Sequence, residues 1–329
     1  MSKALNDTLL SVEGLMREDI QARDTGTAVD NCPNVAVDTC PSCGSRNFKS
    51  DDTEADGFLE ICGGREFKQS PYGIRECLHC GLLYKNCTLS AADFEDIYRR
   101  IDFHTWETNG LYPTERAALA VLRELPPGKR ILDFGCSSGR LLSNLVGTQD
   151  CYGVELNSEA AAEAAAKGLT MLPLDSVADG SPMQFDAVLL IDVFEHLSAP
   201  LVLLRKLFAA VRHGGMLIVV TGNGDSPLCR MDPGQFWYFR TVQHLCMLTK
   251  RHANFLAQEL GGKIEHWQEV SHYDTPLLDK LWQWGRHVAY WQFRNNTLVA
   301  RTILPLVPLL RRAHHWKIAP SLTCTRDHV

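Results

Sequence analysis

From Arg130 to Thr221 short apolar runs alternate with amphipathic stretches, and the two periods predict strands and helices in turn. The apolar runs predict strands at 131–134, 151–155, 169–172, 185–191 and 215–221. The stretches between them predict helices at 138–146, 158–167 and 199–211, with Gly214-Gly215 closing the last helix. Such alternation predicts an α/β fold built on a doubly wound parallel sheet, and Ile131 and Leu132 suit a strand covered on both faces. After Gly222 the pattern turns irregular through Pro227, Pro233 and the aromatic cluster Phe236-Trp237-Tyr238-Phe239. It resumes as a helix at 249–260 and a strand at 263–270.

The same reading divides the chain. Residues 1–35 predict a short amphipathic helix and linker, and 36–88 a small cysteine-bearing module. Residues 89–128 predict a helical connector whose stretch Asp102–Gly110 forms a lid. The core takes 129–273, and a mostly helical segment with a final strand takes 274–329.

The first predicted strand runs into the turn Gly135-Cys136-Ser137-Ser138-Gly139, and the second ends at Glu155, 20 residues after Gly135. Glycines let a ligand approach main chain, and a carboxylate at that distance accepts hydrogen bonds from ribose hydroxyls. This predicts a nucleoside-binding unit. A dinucleotide fingerprint would need a middle and a later glycine that are absent here. Asp133 would also set negative charge beside a pyrophosphate, whereas a cationic amino-acid moiety would be drawn to it.

Cys40-Pro-Ser-Cys43-Gly and Cys77-Leu-His-Cys80-Gly form two knuckles separated by 33 residues. Paired knuckles of this kind complete a tetrahedral thiolate site, so Cys40, Cys43, Cys77 and Cys80 predict a structural zinc ribbon with a lengthened hairpin. Disulfides or an iron–sulfur cluster are the alternatives. His79 is expected to be exposed, and Cys62 is expected to be a buried or surface thiol rather than a competitor for the ion. The other cysteines, which lack partners at metal spacing, are expected to be small packing residues.

With 33 basic and 39 acidic residues the formal charge is −6, and no long basic run is present, so no nucleic-acid partner is expected. The N-terminus lacks the pattern of a signal peptide and no run of about 20 apolar residues exists, which predicts a cytoplasmic location. The segment Leu298–Leu310, followed by Arg311 and Arg312, is expected to pack on the core, with peripheral membrane contact as the alternative.

The order Asp133-Phe-Gly135-Cys136-Ser137-Ser138-Gly139, Glu155-Leu156, Asp175-Ser176 and Phe185–Leu197 resembles the class I S-adenosylmethionine-dependent methyltransferases over about residues 113–270, with Ser137 where a glycine is frequent. The resemblance implies a Rossmann-like fold with an antiparallel last strand, placed at Leu322–Val329. It implies S-adenosylmethionine as cofactor, held by Asp133, Gly135, Cys136, Ser137, Gly139, Glu155, Leu156, Asp175, Ser176 and Asp192. A sulfonium methyl is already activated, so transfer mainly requires an in-line approach, and an oxygen or carbon acceptor also requires a base. His196, His244 and Asp192 are the candidates, with Glu195 and Asn223 nearby.

A four-cysteine ribbon joined to this core resembles methyltransferases of sugar, surface-polysaccharide and natural-product pathways. The working expectation is O-methylation of a small-molecule or glycan acceptor. Sugar C-methylation, ribosomal RNA methylation and a non-catalytic, cofactor-binding scaffold are the competing readings.

Overall fold

The computed structural model describes residues 30–32, 35–50, 59–62, 65–69, 71–100, 102–105, 107, 110–178, 183–234, 236–274, 276–278, 281, 284–285 and 318–325. Its centre is a seven-stranded sheet. The strands are β1 (Arg130–Phe134), β2 (Asp150–Val154), β3 (Thr170–Met171), β4 (Phe185–Ile191), β5 (Val211–Val220), β6 (Lys263–Ser271) and β7 (Ile318–Thr325), in spatial order 3-2-1-4-5-7-6. Strands β1 to β5 pair in parallel, and β7 is inserted antiparallel between β5 and β6. This is the expected doubly wound, Rossmann-like α/β architecture. Strand order reverses between β1 and β4, and ligands of open α/β sheets bind at that crevice beyond the strands' carboxyl ends.

Side-chain alternation along β4 divides the core. Val188 and Leu190 join one apolar cluster with Leu132, Val154, Leu204, Leu217 and Leu256. Ala187 and Leu189 join the other, with Leu119, Leu122, Ile131, Leu142 and Ala164. Every one of these side chains is buried, the condition for a parallel sheet covered on both faces.

Three local expectations are corrected. No helix spans 138–146; a single 3₁₀ turn forms at Leu142–Asn144. Gly139 sits at φ +71°, and the Ser143 hydroxyl and Asn144 amide bond back to the Arg140 carbonyl, so the side chains compete with a helical ladder. Gly214-Gly215 does not cap the preceding helix, which ends at Ala209; both glycines lie inside β5, beside an irregularity in the β4–β5 register. A Cβ on Gly215 would lie 2.8 Å from the Asp186 carbonyl, so close backbone approach is what requires glycine there. The last strand is Ile318–Thr325, earlier than Leu322–Val329. The predicted helix within 1–29 and most of the one within 276–313, including the basic-ended segment to Arg312, fall outside the described residues.

The cysteine module adds a second sheet. Strands at Phe48–Ser50, Ile74–Cys77 and Leu83–Lys85 pair antiparallel, and Cys246–Met247 joins as the fourth strand from the far side of the chain. Leu59–Cys62 and Arg65–Gln69 of the intervening stretch form a three-stranded sheet with the earlier Asp30–Cys32, which is thus extended where a linker was expected. Cys40, Cys77, Cys80, Leu82 and Tyr84 share the apolar cluster of the main sheet with Phe194, Cys246 and Leu248. The module and the core are thus packed as one body at this seam.

Candidate active site

The glycine turn leaves β1 with its main chain fixed from the neighbouring strand: Gly135 N–H and Cys136 N–H both donate to the Val154 carbonyl. Gly135 and Gly139 have φ of +82° and +71°. A Cβ on Gly135 would lie 2.6 Å from the Val193 side chain, and one on Gly139 2.9 Å from Ala164. Packing and a left-handed backbone therefore require these glycines, where ligand approach was the expected reason. Cys136 is buried under the turn, and Gly153 makes room for its sulfur.

Among the described residues, two that are not glycine have positive φ: Ser137 at +47° and Asp192 at +52°. They sit at the carboxyl ends of β1 and β4, on either side of the crevice. Backbone outliers held by their surroundings concentrate at functional sites. Here Ser137 is held by a hydrogen bond from its N–H to Glu155 Oε2 at 2.9 Å. Glu155 Oε1 accepts from the N–H groups of Leu156 and Asn157, so the carboxylate faces the turn with one lone pair on Oε2 still uncommitted. Leu156 is 68% exposed beside it, an apolar surface at the edge of the crevice.

Asp133 lies beneath the turn, 4% exposed, and its Oδ1 has no hydrogen-bond partner. Burial, with smaller contributions from Glu115 and Glu155, raises its pKa to about 7. A buried, unpaired carboxylate is costly unless a donor or cation meets it. Asp175 and Ser176 lie on the short helix Leu174–Ala178; Asp175 is exposed, and the Ser176 hydroxyl donates to the Pro173 carbonyl.

Glu107, within the stretch Asp102–Gly110, was not singled out by sequence. Its carboxylate accepts from the hydroxyls of Ser137 and Ser138 at 2.8–2.9 Å, directly over the glycine turn. Burial opposes its charge, but these hydrogen bonds prevail and hold its pKa below the ordinary carboxylate range. A lone Glu among polar neighbours carries no periodic signal, and only the three-dimensional contact marks it.

The opposite wall begins where β4 ends. Glu195 and His196 occupy a 3₁₀ turn, Phe194–His196. Glu195, 1% exposed, accepts from the Thr221 hydroxyl at 2.8 Å and, in a short contact, from the Tyr238 hydroxyl. His196 Nδ1 lies 3.1 Å from the Gln243 carbonyl, and His244 Nδ1 lies 2.8 Å from the Tyr238 carbonyl. The two imidazoles meet edge to face with centroids 4.8 Å apart, and Tyr98 from the connector covers His196. Burial lowers the His196 pKa to about 4, so this ring is neutral at pH 7 and a weaker base than an exposed histidine.

Asp192, His196 and His244 therefore line the same wall. Asn223 is turned to structural work, its Oδ1 accepting from Asp225 N–H. Sequence reasoning also missed His272, whose Nδ1 is 3.8 Å from Asp192 and whose ring lies 4.3 Å from that of Tyr112. It follows β6, and no motif connects residue 272 to residue 192.

The ribbon module braces this wall. Lys85, 1% exposed, donates through Nζ to the carbonyls of Thr241 and Val242 at 2.9 and 3.3 Å, just before His244. Thr249 Oγ1 donates to Gly81 and also caps the helix Lys250–Leu260. Arg251 reaches the Leu78 carbonyl. At the seam with the core the four thiols of Cys40, Cys43, Cys77 and Cys80 lie within 4.8 Å of one another, with the pairs Cys40–Cys80 and Cys43–Cys77 at 3.5 Å. Tetrahedral Zn²⁺ with bonds of about 2.3 Å needs sulfur separations of roughly 3.7 Å, which this cluster fits.

Residues 106–266, just under half of the chain, match the family model of a methyltransferase domain. A ubiquinone biosynthesis O-methyltransferase of Aeromonas salmonicida is 28% identical over 134 residues, 38% of this chain; the match spans half the length of that relative. Among solved structures, the magnesium protoporphyrin IX methyltransferase of Synechocystis PCC 6803 is 14% identical, with a TM-score of 0.49 over 72% of this chain and 100% of that one. The phosphoethanolamine N-methyltransferase 2 of Haemonchus contortus is 16% identical, with a TM-score of 0.48 over 75% of this chain and 63% of that one.

Proposed function

We propose that this chain, whose residues 106–266 match a methyltransferase domain, transfers a methyl group from S-adenosylmethionine to an oxygen of a sugar, polysaccharide precursor or other small acceptor. The observation that carries the reading is the crevice at the β1/β4 reversal. A glycine turn, the partnerless Asp133 Oδ1 and the ribose-competent Glu155 converge there from one contiguous stretch of chain. The matched relative that acts as an O-methyltransferase favours oxygen over carbon or nitrogen.

In this reading Asp133 faces the ammonium of the methionyl part and Glu155 accepts from a ribose hydroxyl. Leu156 backs the adenine, and Asp175 and Ser176 border it. The turn residues Gly135, Cys136, Ser137 and Gly139 shape the floor. Glu107 must release Ser137 and Ser138 or share them when the cofactor's amino-acid end arrives. Asp192, His196 and His244 form the acceptor wall, where in-line placement of the oxygen supplies most of the rate and a positioned group accepts its proton. Zinc at Cys40, Cys43, Cys77 and Cys80 serves as structure: four thiolates leave no open coordination position, and the metal's contribution is to fold the ribbon that holds residues 241–249.

Glu155→Ala tests the cofactor half. Loss of a charge-assisted hydrogen bond is worth about 1.5–3 kcal/mol, so affinity for S-adenosylhomocysteine should fall roughly ten- to a hundredfold by calorimetry. Unchanged affinity in the folded variant would remove the assignment. Release of S-adenosylhomocysteine across a panel of sugar, nucleotide-sugar and phenolic acceptors tests the reaction, and the methylated atom then follows from mass spectrometry of the product.

A further inference from the structure

On the acceptor wall, Glu195, His196 and His244 bring one metal-ligating atom each to within 4.8 Å of the other two. We infer that these three residues form a divalent-cation site, separate from the four-cysteine cluster, whose open positions receive the acceptor's oxygens. The inference deepens the O-methylation reading and rests on it for the identity of the ligand.

The donors are already oriented. Each imidazole has Nδ1 near a main-chain carbonyl, His196 at Gln243 and His244 at Tyr238, so backbone holds both rings in place. Ligating histidines are held in this way by partners behind them. The Glu195 carboxylate is also anchored, Oε2 by Thr221 and Oε1 by Tyr238; each oxygen has two lone pairs, so one remains on each for a cation. The two segments are tied together by Leu245 N–H donating to the Glu195 carbonyl at 2.7 Å. Hence the cluster is assembled by backbone, and its geometry does not depend on long, mobile side chains.

Its chemistry differs from that of the ribbon. Two imidazoles and a carboxylate suit first-row divalent ions such as Mn²⁺, Fe²⁺, Co²⁺ or Zn²⁺, whereas four thiolates select softer binding. Bonds of about 2.0–2.2 Å set adjacent ligands roughly 3 Å apart, so shifts of about an ångström close the cluster on an ion. Glu195 lies on the protein side, 1% exposed, while both histidines are half-buried and border the crevice. Three protein ligands leave coordination positions open on that side, the arrangement of a site that takes substrate. An acceptor with two adjacent oxygens, a vicinal diol or a catechol, would fill two of them and be fixed in orientation toward the sulfonium methyl.

Mn²⁺ is the probe, because thiolates hold it weakly and the zinc of the ribbon stays in place. The full chain, prepared to hold one zinc per chain by elemental analysis so that zinc fills the four thiolates and not the histidine cluster, is titrated with Mn²⁺ and the free ion is read by its paramagnetic resonance signal. We expect one Mn²⁺ per chain with Kd below about 100 μM, weakened at least tenfold by His244→Asn and by Glu195→Gln. Because Glu195 is buried and twice hydrogen-bonded, Glu195→Gln also risks the fold; His244→Asn, at a half-buried position, then carries the test alongside zinc content and a thermal melt. Absence of stoichiometric binding, or unchanged Kd in a folded His244→Asn variant, overturns the site. The titration uses no acceptor and no turnover. Mn²⁺ binding in a protein that methylates nothing would uphold the site and remove the O-methylation reading, and methylation without Mn²⁺ binding would do the reverse.

Discussion

The two walls of the crevice are built in opposite ways. On the side we assign to the cofactor, Asp133, Gly135, Ser137, Glu155, Asp175 and Ser176 come from 44 consecutive residues, each placed at the end of a neighbouring parallel strand. On the side we assign to the acceptor, Tyr98, Asp192, Glu195, His196, Tyr238, His244 and His272 come from four separate stretches, and the piece bearing His244 is held from behind by the cysteine ribbon. A wall made of one supersecondary unit can bind its ligand with local means. A wall made of distant pieces needs a scaffold, and the ribbon is in position to be that scaffold. Disturbing the ribbon should therefore damage turnover more than cofactor binding.

The largest effect should come from Cys77→Ser. Cys77 is fully buried in the cluster that also holds Phe194 and Leu248, and structural zinc contributes roughly 10 kcal/mol or more to folding small modules. We expect loss of zinc by elemental analysis and a fall in turnover of more than a hundredfold. Affinity for S-adenosylhomocysteine should fall less, because the hydrogen bonds described between the ribbon and the core go to residues 241–252 and not to the glycine turn or Glu155. Equal losses in both quantities would break the contrast between the walls.

A finer cut is Lys85→Met, which keeps the apolar stem and removes the ammonium that satisfies Thr241 and Val242. Leaving buried carbonyls unpaired costs about 1–3 kcal/mol each, enough to loosen the His244 segment and lower kcat about tenfold. Cofactor KM should stay within twofold. A purely structural role would lower the amount of folded protein while leaving the kcat of the folded fraction unchanged, and active-site titration separates the two.

The smallest effect belongs to Asp133. Its pKa is raised by burial to about 7 in the folded protein, against about 3.9 unfolded, so the free protein gains relative stability below pH 4 and loses it as pH rises toward 7. Cofactor binding should show the opposite slope, because a cationic amino group pairs only with ionised Asp133. Affinity is expected to weaken about fivefold from pH 7 to pH 6, and Asp133→Asn should flatten that dependence in calorimetry. A pH-independent affinity in the parent protein would place the ammonium elsewhere.

The difference between the walls also governs what could be read from the chain. On the side we assign to the cofactor, the strands, the turn and the position of Glu155 were legible because strand periodicity, a glycine turn and an acid at fixed spacing are all short-range signals. Even there a further reason for Gly135 left no trace in the chain, since its neighbour Val193 lies 58 positions away. The cysteine knuckles were legible by spacing, but not that Cys246–Met247 would complete their sheet. His196 and His244 were found as residue types suited to proton transfer. Their contact, the burial that lowers His196 and the role of Glu195 beside them depend on tertiary packing. Glu107 and His272 follow no pattern and became visible only through what they touch.

The strand pairing of Leu83 with Met247 joins positions 164 residues apart. During synthesis both cysteine knuckles leave the ribosome long before the strand that completes their sheet, and closing so long a loop is slow. The four sulfurs can gather early, but the ribbon keeps an open edge until most of the main sheet has emerged. Cutting the chain after residue 88 would make that edge permanent, and an unpaired strand edge is a template for aggregation. The ribbon is first in the sequence and among the last parts to finish folding.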